Sequence, residues 1–233
     1  EDIVLYVDAY DVMFLDEGES IKSSFIDMKV PLLFAAEYSF AFNQQFKGRN
    51  QLITYLKYPQ SKTGYRFLNA GTFMGYIKAF RDLCDTVALS EHDLCDQAKF
   101  SEAFVYEKTE IELDYTQTIF SCNGGRGALE EKDYVIKKGR LYAKKTDNYP
   151  KILHIPGKLY PPLDRLALDL LGLEFKGDYS DFEQRQYKNA KEAFRKADFF
   201  RIDPFLYFLL EKVVLYALVL FGFVFLVFRG FLF

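Results

Sequence analysis

Two apolar runs near the start of the chain each end abruptly in an acidic residue. The first run extends from Ile3 to Val7 and is followed by Asp8. The second run covers residues 31–36 and is followed by Glu37. Continuous apolar runs of this length are typical of strands that are buried on both faces. The pattern predicts buried strands over 2–7 and 31–36, and a loop with a short helix over the polar segment 15–29 between them.

The rest of the chain alternates short apolar runs with turn residues and amphipathic segments. Residues 38–65 lack periodicity, so the pattern predicts a long loop region there. The remaining predictions are strands at 67–70 (ending at Asn69), 111–114, 118–120 and 151–154, helices near 73–86, 93–105, 163–172 and 181–200, and a β-hairpin, 134–136 with 141–143, that turns at Gly139. Alternation of this kind predicts an α/β domain with a mixed sheet, over about residues 1–200.

The C-terminal segment is the most apolar part of the sequence. No charged residue occurs between Val213 and Phe228, and Arg229 is the only charge before the end. A membrane-spanning helix needs ~20 apolar residues. The pattern therefore predicts a single transmembrane helix over 213–233, after a juxtamembrane segment over 201–212. The alternative is a buried core helix.

Composition excludes some functions and leaves others open. A chain of 233 residues is long enough for one domain with a sizeable core. Its net charge is -3 and no basic stretch is interleaved with aromatics, so nucleic-acid binding has no electrostatic support. The three cysteines, Cys84, Cys95 and Cys122, have no CxxC spacing, which argues against a zinc site. One disulfide among them remains an open alternative.

Asp8 and Asp11 are the first candidates for chemistry. Ligands of open α/β sheets bind outside the carboxyl ends of strands. Two carboxylates at such a position repel one another unless a cation lies between them. The pair therefore indicates a divalent metal site that grips a phosphate-bearing substrate. The alternative is a strand followed by a solvated acidic turn.

Further motifs follow in a fixed order. They are Phe34-Ala35-Ala36-Glu37, Leu68-Asn69-Ala70-Gly71, Asp96-Gln97 and His154-Ile155-Pro156-Gly157-Lys158. With the acidic pair they make the chain resemble, over about residues 1–158, the glycosyltransferase domain of the procollagen-lysine glycosyltransferases of the lysyl hydroxylase family. More broadly, the set is similar to metal-dependent GT-A enzymes that use sugar nucleotides, glycogenin-like enzymes included.

The resemblance implies roles for individual residues. Asp8, Asp11 and His154 would hold Mn²⁺ or Mg²⁺. The residues implied to bind the donor are Glu37, Asn69, Ala70, Gly71, Gly157 and Lys158. Asp96 and Gln97 would be catalytic: the acid would stabilise positive charge at the anomeric carbon, and the amide would hydrogen-bond the donor. Two motifs depart from the family, which carries Asp-Asp-Gln where this chain has Cys95-Asp96-Gln97, and Gly-Asn where it has Ile155-Pro156.

The implied activity is transfer of a hexose, glucose or galactose, from a UDP-sugar to a protein-linked or glycan hydroxyl, with retention of anomeric configuration. The nucleotide-binding βαβ unit that precedes the metal motif in the family is not in this sequence, so we expect a fragment. The alternative is a non-catalytic, membrane-tethered remnant or binding domain of the same fold. A two-metal phosphohydrolase would need a second carboxylate cluster, which the sequence lacks.

The membrane orientation has two alternatives. Basic residues cluster before the predicted span, at Arg195, Lys196, Arg201 and Lys212, which places the domain in the cytoplasm as in a tail-anchored protein. The family resemblance implies the lumen of the secretory pathway. Large domains translocate largely regardless of charge, so the lumen is the favoured expectation.

Overall fold

The structure, a computed structural model, describes residues 2–9, 11–38, 40, 49–88, 96–123, 134–156, 169–170 and 172. These residues form nine strands and four helices. In chain order they are β1 (Ile3–Val7), β2 (Val12–Phe14), α1 (Gly18–Met28), β3 (Leu32–Glu37), α2 (Arg49–Lys57), β4 (Phe67–Tyr76), α3 (Ile77–Val87), α4 (Asp96–Val105), β5 (Glu112–Asp114), β6 (Phe120–Cys122), β7 (Tyr134–Lys137), β8 (Arg140–Ala143) and β9 (Ile152–His154).

A four-stranded mixed sheet forms the centre of the described fold, in the order β1-β4-β3-β5. β4 is antiparallel to both of its neighbours, whereas β3 and β5 are parallel. All six residues of β3 are buried. Its alternate residues face different cores, as the period of two in a strand requires. The α/β class and the mixed sheet predicted from the sequence are therefore confirmed.

The two cores lie on opposite faces of this sheet. Leu32 and Phe34 of β3 pack on one face with residues of α2–α4 and the segments that follow them, such as Tyr58, Leu83 and Phe100. Leu33 and Ala35 pack on the other face with α1 and with residues of the second sheet: Ile21, Phe25, Phe120, Cys122 and Ile152. Burial on both faces explains why the run over 31–36 shows no polar alternation.

A second sheet carries His154, one of the candidate metal ligands, at the end of β9. It has the order β2-β9-β6, with β2 antiparallel and β6 parallel to β9. The β7–β8 hairpin packs against it through Tyr134, Leu141 and Ala143, which contact Leu153 and Ile155. The hairpin turns at Gly139, which has a φ of 71°, in the left-handed region that glycine tolerates. The hairpin prediction is confirmed.

The turn between β5 and β6 is held by a buried carboxylate. Asp114 is fully buried, and one of its oxygens accepts hydrogen bonds from the backbone N–H groups of Ile119 (2.7 Å) and Phe120 (2.8 Å). The other oxygen accepts from the N–H of Thr118 at 2.9 Å. These three bonds fix where β6 begins, and so where it pairs with β9.

The central departure from the predicted elements is β4. The prediction of a strand that ends at Asn69, followed by a helix near 73–86, is wrong: the strand runs through to Tyr76 and the helix begins at Ile77. The pairing with β3 shifts between Phe34, opposite Phe73, and Ala35, opposite Asn69. Three residues, 70–72, thus bulge from the ladder with β3 while the strand continues. Gly71 is typical of turns as well as bulges, and a single sequence does not distinguish them.

Other boundaries also differ from those predicted. The loop prediction over 38–65 is wrong in part, because α2 occupies Arg49–Lys57. Gly48 and Pro59 flank this helix, and they are boundary signals as well as loop residues. α1 is an eleven-residue helix where only a short one was expected, β2 was not predicted, and β6 begins two residues later than expected. The predicted helices near 163–172 and 181–200 lie almost wholly outside the described residues.

No helix within the described residues is long and apolar enough to cross a membrane. The predicted span over 213–233 and the juxtamembrane segment over 201–212 lie outside the part of the chain that the structure describes.

A partly buried ion pair ties the end of β2 to the start of β9. Asp16 Oδ2 accepts hydrogen bonds from Lys151 Nζ at 2.8 Å and from Ser20 Oγ at 2.9 Å. The bond from Lys151 lowers the pKa of Asp16 to about 2. Because the folded pKa lies below the unfolded value, this stabilisation is present above about pH 4 and is lost as the pH falls towards 2.

Lys151→Met is therefore expected to lower the free energy of unfolding by about 1–2 kcal/mol at pH 7. The difference from the parent should shrink between about pH 4 and pH 2. Urea unfolding across that range measures it. Lys22→Met is the matched control, because Lys22 pairs with Glu19 at 3.8 Å between exposed side chains and should change stability by less than about 0.5 kcal/mol. If Lys151→Met lowered the free energy of unfolding by the same amount at every pH, this account would be contradicted.

Candidate metal and donor site

Asp8 and Asp11 lie at the junction of the two sheets. Asp8 directly follows β1, and its backbone N–H donates to the carbonyl oxygen of Gly71 at 2.8 Å. Asp11 directly precedes β2, and its carbonyl oxygen accepts from the N–H of Ile155 at 2.9 Å. One acid thus belongs to the central sheet and the other to the second sheet. Backbone hydrogen bonds hold both at the point where the chain crosses between the sheets.

His154 is the last residue of β9 and pairs with Val12 across the antiparallel ladder. This pairing brings the imidazole to Asp11 although 143 positions separate them in the sequence. His154 Nε2 lies 3.4 Å from Asp11 Oδ1 and 3.5 Å from Asp8 Oδ2. One ligand atom from each of the three residues lies within 4.8 Å of the others. The structure therefore brings together the three residues that the sequence suggested as metal ligands.

The imidazole nitrogen that faces the two acids has no hydrogen-bond partner. His154 is 1% exposed, and its Nε2 is buried without a partner. A buried nitrogen of this kind costs about 1–3 kcal/mol unless something satisfies it. A divalent cation would do so, since Mn²⁺ accepts both carboxylate and imidazole ligands. The donor set and the orphaned nitrogen thus fit Mn²⁺.

The electrostatics of Asp8 point the same way. Burial raises the pKa of the Asp8 carboxyl, and the nearby charges of Asp11 and Asp96 raise it further, while His154 opposes the rise. The negative charges of Asp11 and Asp96 thus add to burial in disfavouring the ionised form of Asp8. A bound cation would relieve this repulsion and keep Asp8 ionised.

Gly71 makes room for the site. It lies in the β4 bulge, and a Cβ at this position would clash with His154 Cε1 and with Asp8 Oδ2. The resemblance assigned Gly71 to the donor, yet the structure places it against two of the candidate metal ligands. Absence of a side chain is required for the carboxylate and imidazole to approach one another.

Cys122 is a neighbour of the site that sequence reasoning missed. Its Sγ lies 3.6 Å from His154 Nδ1, on the side of the ring away from the acids. The contact arises from the parallel pairing of β6 with β9, in which the two residues are direct partners. Nothing in the local sequence of either strand signals this register.

Glu37, Asn69 and Gln97 form a polar cluster behind the bulge, in which Glu37 and Asn69 are buried and Gln97 is partly buried. Glu37 Oε1 accepts hydrogen bonds from Gln97 Nε2 at 3.2 Å and from Asn69 Nδ2 at 3.4 Å. Gln97 Oε1 accepts from the N–H of Ala70 at 3.0 Å, and Asn69 Oδ1 accepts from the N–H of Gly71 at 2.9 Å. Five of the predicted donor and catalytic residues, Gly71 among them, thus meet at one place.

In this arrangement the two side-chain amides bond to the protein itself. The N–H groups of Ala70 and Gly71, which bulge from the ladder with β3, find acceptors in Gln97 and Asn69. The cluster therefore fixes the shape of the bulge, and with it the position of Gly71 beneath Asp8 and His154.

Asp96 begins α4 and is exposed. Its Oδ1 accepts from the backbone N–H of Gln97 at 2.7 Å, as expected for an acid in a first helical turn. Asp96 also contributes to the raised pKa values of Tyr6 and Asp8, so its charge acts on the metal site. Gly157 and Lys158, the other residues implied to bind the donor, lie outside the described residues.

Comparison with known proteins shows which family the chain belongs to. The family model described as the PLOD GT domain matches residues 1–170. The chain belongs to the PLOD GT domain family. Its members are glycosyltransferase domains, and the match covers every described strand and helix as well as the candidate metal ligands.

Several curated proteins are similar to part of this chain. The chain is 27% identical over 176 residues to procollagen-lysine,2-oxoglutarate 5-dioxygenase 1 of Gallus gallus, which covers 73% of this chain and 22% of the relative. The same identity and coverage hold for the human multifunctional procollagen lysine hydroxylase and glycosyltransferase LH3. An uncharacterized protein of Acanthamoeba polyphaga mimivirus is 32% identical over 102 residues, 42% of this chain and 20% of that protein. The chain thus spans about a fifth of the length of these relatives.

The cluster behind the bulge of this PLOD GT domain gives a stability prediction. Gln97→Ala removes the donor to the buried Glu37 and the acceptor for the buried Ala70 N–H. The free energy of unfolding should fall by about 1–3 kcal/mol, because two buried polar groups lose a partner. Urea unfolding measures it. Gln60→Ala is the control, since Gln60 is exposed and should shift stability by less than about 0.5 kcal/mol. Equal stability of the two variants would show that Gln97 does not hold the bulge.

Proposed function

We propose that this domain is a metal-dependent hexosyltransferase that uses a UDP-sugar. The observation that carries the proposal is the buried, unpartnered Nε2 of His154, which faces Asp8 and Asp11 at 3.4–3.5 Å. Because the chain belongs to a glycosyltransferase family, a cation at this site would bind the diphosphate of a sugar-nucleotide donor. Among divalent cations, the imidazole favours Mn²⁺ over Mg²⁺.

Asp8, Asp11 and His154 would hold the cation. The cation would neutralise the diphosphate of the donor and stabilise the UDP leaving group. Asp8 would remain ionised in its presence, and Gly71 would keep the site open on the side of β4.

The β4 bulge is the proposed floor of the sugar pocket. Its backbone is held by Gln97 and Asn69, and the buried carboxylate of Glu37 lies directly behind it. A preorganised surface of this kind orients a sugar without reorganising during the reaction. Glu37, Asn69 and Ala70 would act there as one unit rather than as separate ligands.

Asp96 is proposed as the charged group that faces the anomeric carbon. It is exposed at the start of α4, and its charge reaches Asp8. A carboxylate there would stabilise the positive charge that develops as the leaving group departs. Retention of configuration and a glycan or protein-linked hydroxyl as acceptor are proposed from the family, with Gly157 and Lys158 completing the donor site.

A donor screen on the full-length protein tests the proposal. UDP-glucose and UDP-galactose, each with Mn²⁺, should give UDP release that EDTA abolishes and Mn²⁺ restores. Asp96→Asn should reduce the rate far more than it weakens Mn²⁺ binding, because Asp96 acts on the site by charge and is not one of the three candidate ligands. UDP and Mn²⁺ binding without turnover of any UDP-sugar, in the presence of glycan and hydroxylysine acceptors, would replace the enzyme with a non-catalytic binding domain.

The predicted membrane span over 213–233 and its luminal orientation stay predictions. Carbonate extraction tests the first, since a spanning protein remains in the membrane pellet. Protease treatment of sealed microsomes tests the second, since a luminal domain is protected until detergent is added.

A further inference from the structure

We infer that Cys122 is a positioning residue for His154: its sulfur holds Nδ1 and thereby leaves Nε2 unprotonated for a divalent cation. The inference rests on the metal site of the proposed function and adds a residue to it that acts through the imidazole.

The two side chains are held rigidly side by side. Cys122 is 0% exposed and His154 is 1% exposed, and they are direct partners in the parallel β6–β9 ladder. The backbone beyond this pair is also tied, because the N–H of Asn123 donates to the carbonyl oxygen of His154 at 2.9 Å. Sγ and Nδ1 lie 3.6 Å apart, within hydrogen-bond range for sulfur. Nδ1 of the ring therefore faces the thiol, and Nε2 faces the two carboxylates.

The choice of tautomer follows from this placement. A neutral imidazole carries one proton, and the nitrogen that binds a metal must be the unprotonated one. When a cation lies between Nε2 and the carboxylates of Asp8 and Asp11, the ring proton belongs on Nδ1, where Cys122 Sγ is placed to accept it. Partners of this kind fix the tautomer and orientation of metal-binding histidines and raise their basicity.

The opposite tautomer does not bind a metal. If the thiol donated to Nδ1, the ring proton would lie on Nε2, which faces the two acids, and a cation would have to displace it. A thiol is nevertheless a weaker acceptor than the carboxylates and carbonyls that usually fill this role. Removal of the thiol should thus weaken metal binding measurably, and a hydroxyl should partly replace it.

Mn²⁺ binding to the full chain, measured by titration calorimetry, gives the first readout. Cys122→Ala should bind Mn²⁺ roughly 10- to 100-fold more weakly than the parent. Cys122→Ser should bind more tightly than Cys122→Ala. Cys84→Ala, which changes a cysteine of α3, should bind as the parent does. Parental affinity in a folded Cys122→Ala variant would overturn the inference.

The tautomer itself gives a second readout that needs no activity. In the parent labelled with ¹⁵N-histidine and saturated with the diamagnetic cation Zn²⁺, long-range ¹⁵N–¹H spectra should show His154 protonated at Nδ1, with a proton whose shift changes in Cys122→Ser. The chain has only two histidines, so a His92→Gln variant assigns the signal. A ring protonated at Nε2, or an Nδ1 proton unaffected in Cys122→Ser, would overturn the inference even if Cys122→Ala fails to fold. A parent that binds Mn²⁺ with the proton on Nδ1 but turns over no UDP-sugar would instead contradict the proposed function and leave the positioning role standing.

Discussion

Asp8→Asn is expected to reduce Mn²⁺-dependent UDP release by the full-length protein by roughly 100- to 1,000-fold. Asp8 supplies one of two carboxylates to the candidate metal site, and its own pKa is raised by burial and by Asp11 and Asp96. An amide of the same shape removes the charge that a cation needs while leaving the backbone bond to Gly71 intact. Mn²⁺ affinity should fall with the rate, and excess Mn²⁺ should restore part of the activity.

Asp2→Asn is the control for this variant, because it changes an exposed acid at the other end of β1. It should retain parental UDP release and Mn²⁺ affinity. Stability separates a local effect from unfolding: Asp8→Asn should unfold at the parental urea concentration or slightly above it, since like charges are removed. Undiminished UDP release in Asp8→Asn would rule out a catalytic metal at this site.

Gly71→Ala should weaken Mn²⁺ binding at least as much as the loss of a ligand does. The added methyl group would occupy the space between His154 Cε1 and Asp8 Oδ2, so the two ligands must move apart. Because both are held by strand hydrogen bonds, the movement also costs stability, about 1–3 kcal/mol for an overpacked position. Calorimetric titration with Mn²⁺ and urea unfolding measure the two effects separately.

Two other glycines make matched controls for Gly71→Ala. Gly18→Ala adds a methyl group where nothing lies within 4 Å, so it should leave both metal binding and stability close to parental values. In Gly75→Ala the methyl group would meet Leu32 Cδ1 at 2.5 Å and the carbonyl oxygen of Pro31 at 2.9 Å, away from the metal site. It should lower stability while the residual folded protein still binds Mn²⁺. Intact Mn²⁺ binding in Gly71→Ala would show that the glycine serves only the strand.

The sequence predicts the proximity of the three candidate ligands better than it predicts the elements that hold them. Apolar runs that end in acids locate β1 and β3, because full burial leaves a strong local signal. Family motifs then select His154 from 143 positions away, and the structure confirms that it meets Asp8 and Asp11. The α/β class and the β7–β8 hairpin follow from equally local patterns.

What the sequence does not predict depends on contacts between distant strands. The β4 bulge exists because Ala70 and Gly71 find acceptors in Gln97 and Asn69 instead of in β3. Periodicity therefore breaks at residues 70–72 just as it would at a turn. Cys122 was missed for a similar reason, since only the register of β6 against β9 places it beside His154. Pairing registers are tertiary properties, and a single sequence states them weakly.

The polar cluster also changes how the family motifs are interpreted. The resemblance assigned Gln97 to the donor sugar, whereas its amide here joins Glu37 to the backbone of Ala70. Both descriptions are compatible if the motif acts by shaping the pocket floor. The expected stability loss in Gln97→Ala separates this shaping role from simple ligand contact.

Anomalous diffraction from crystals of the protein soaked with Mn²⁺ and UDP tests the central claim most directly. The account predicts one strong manganese peak bounded by Asp8, Asp11 and His154 Nε2, with ligand distances of roughly 2.0–2.3 Å. The same peak should be weaker in Asp8→Asn crystals soaked at the same Mn²⁺ concentration. A peak elsewhere, or none at saturating Mn²⁺ with UDP bound, would contradict the proposal that these three residues form a metal centre.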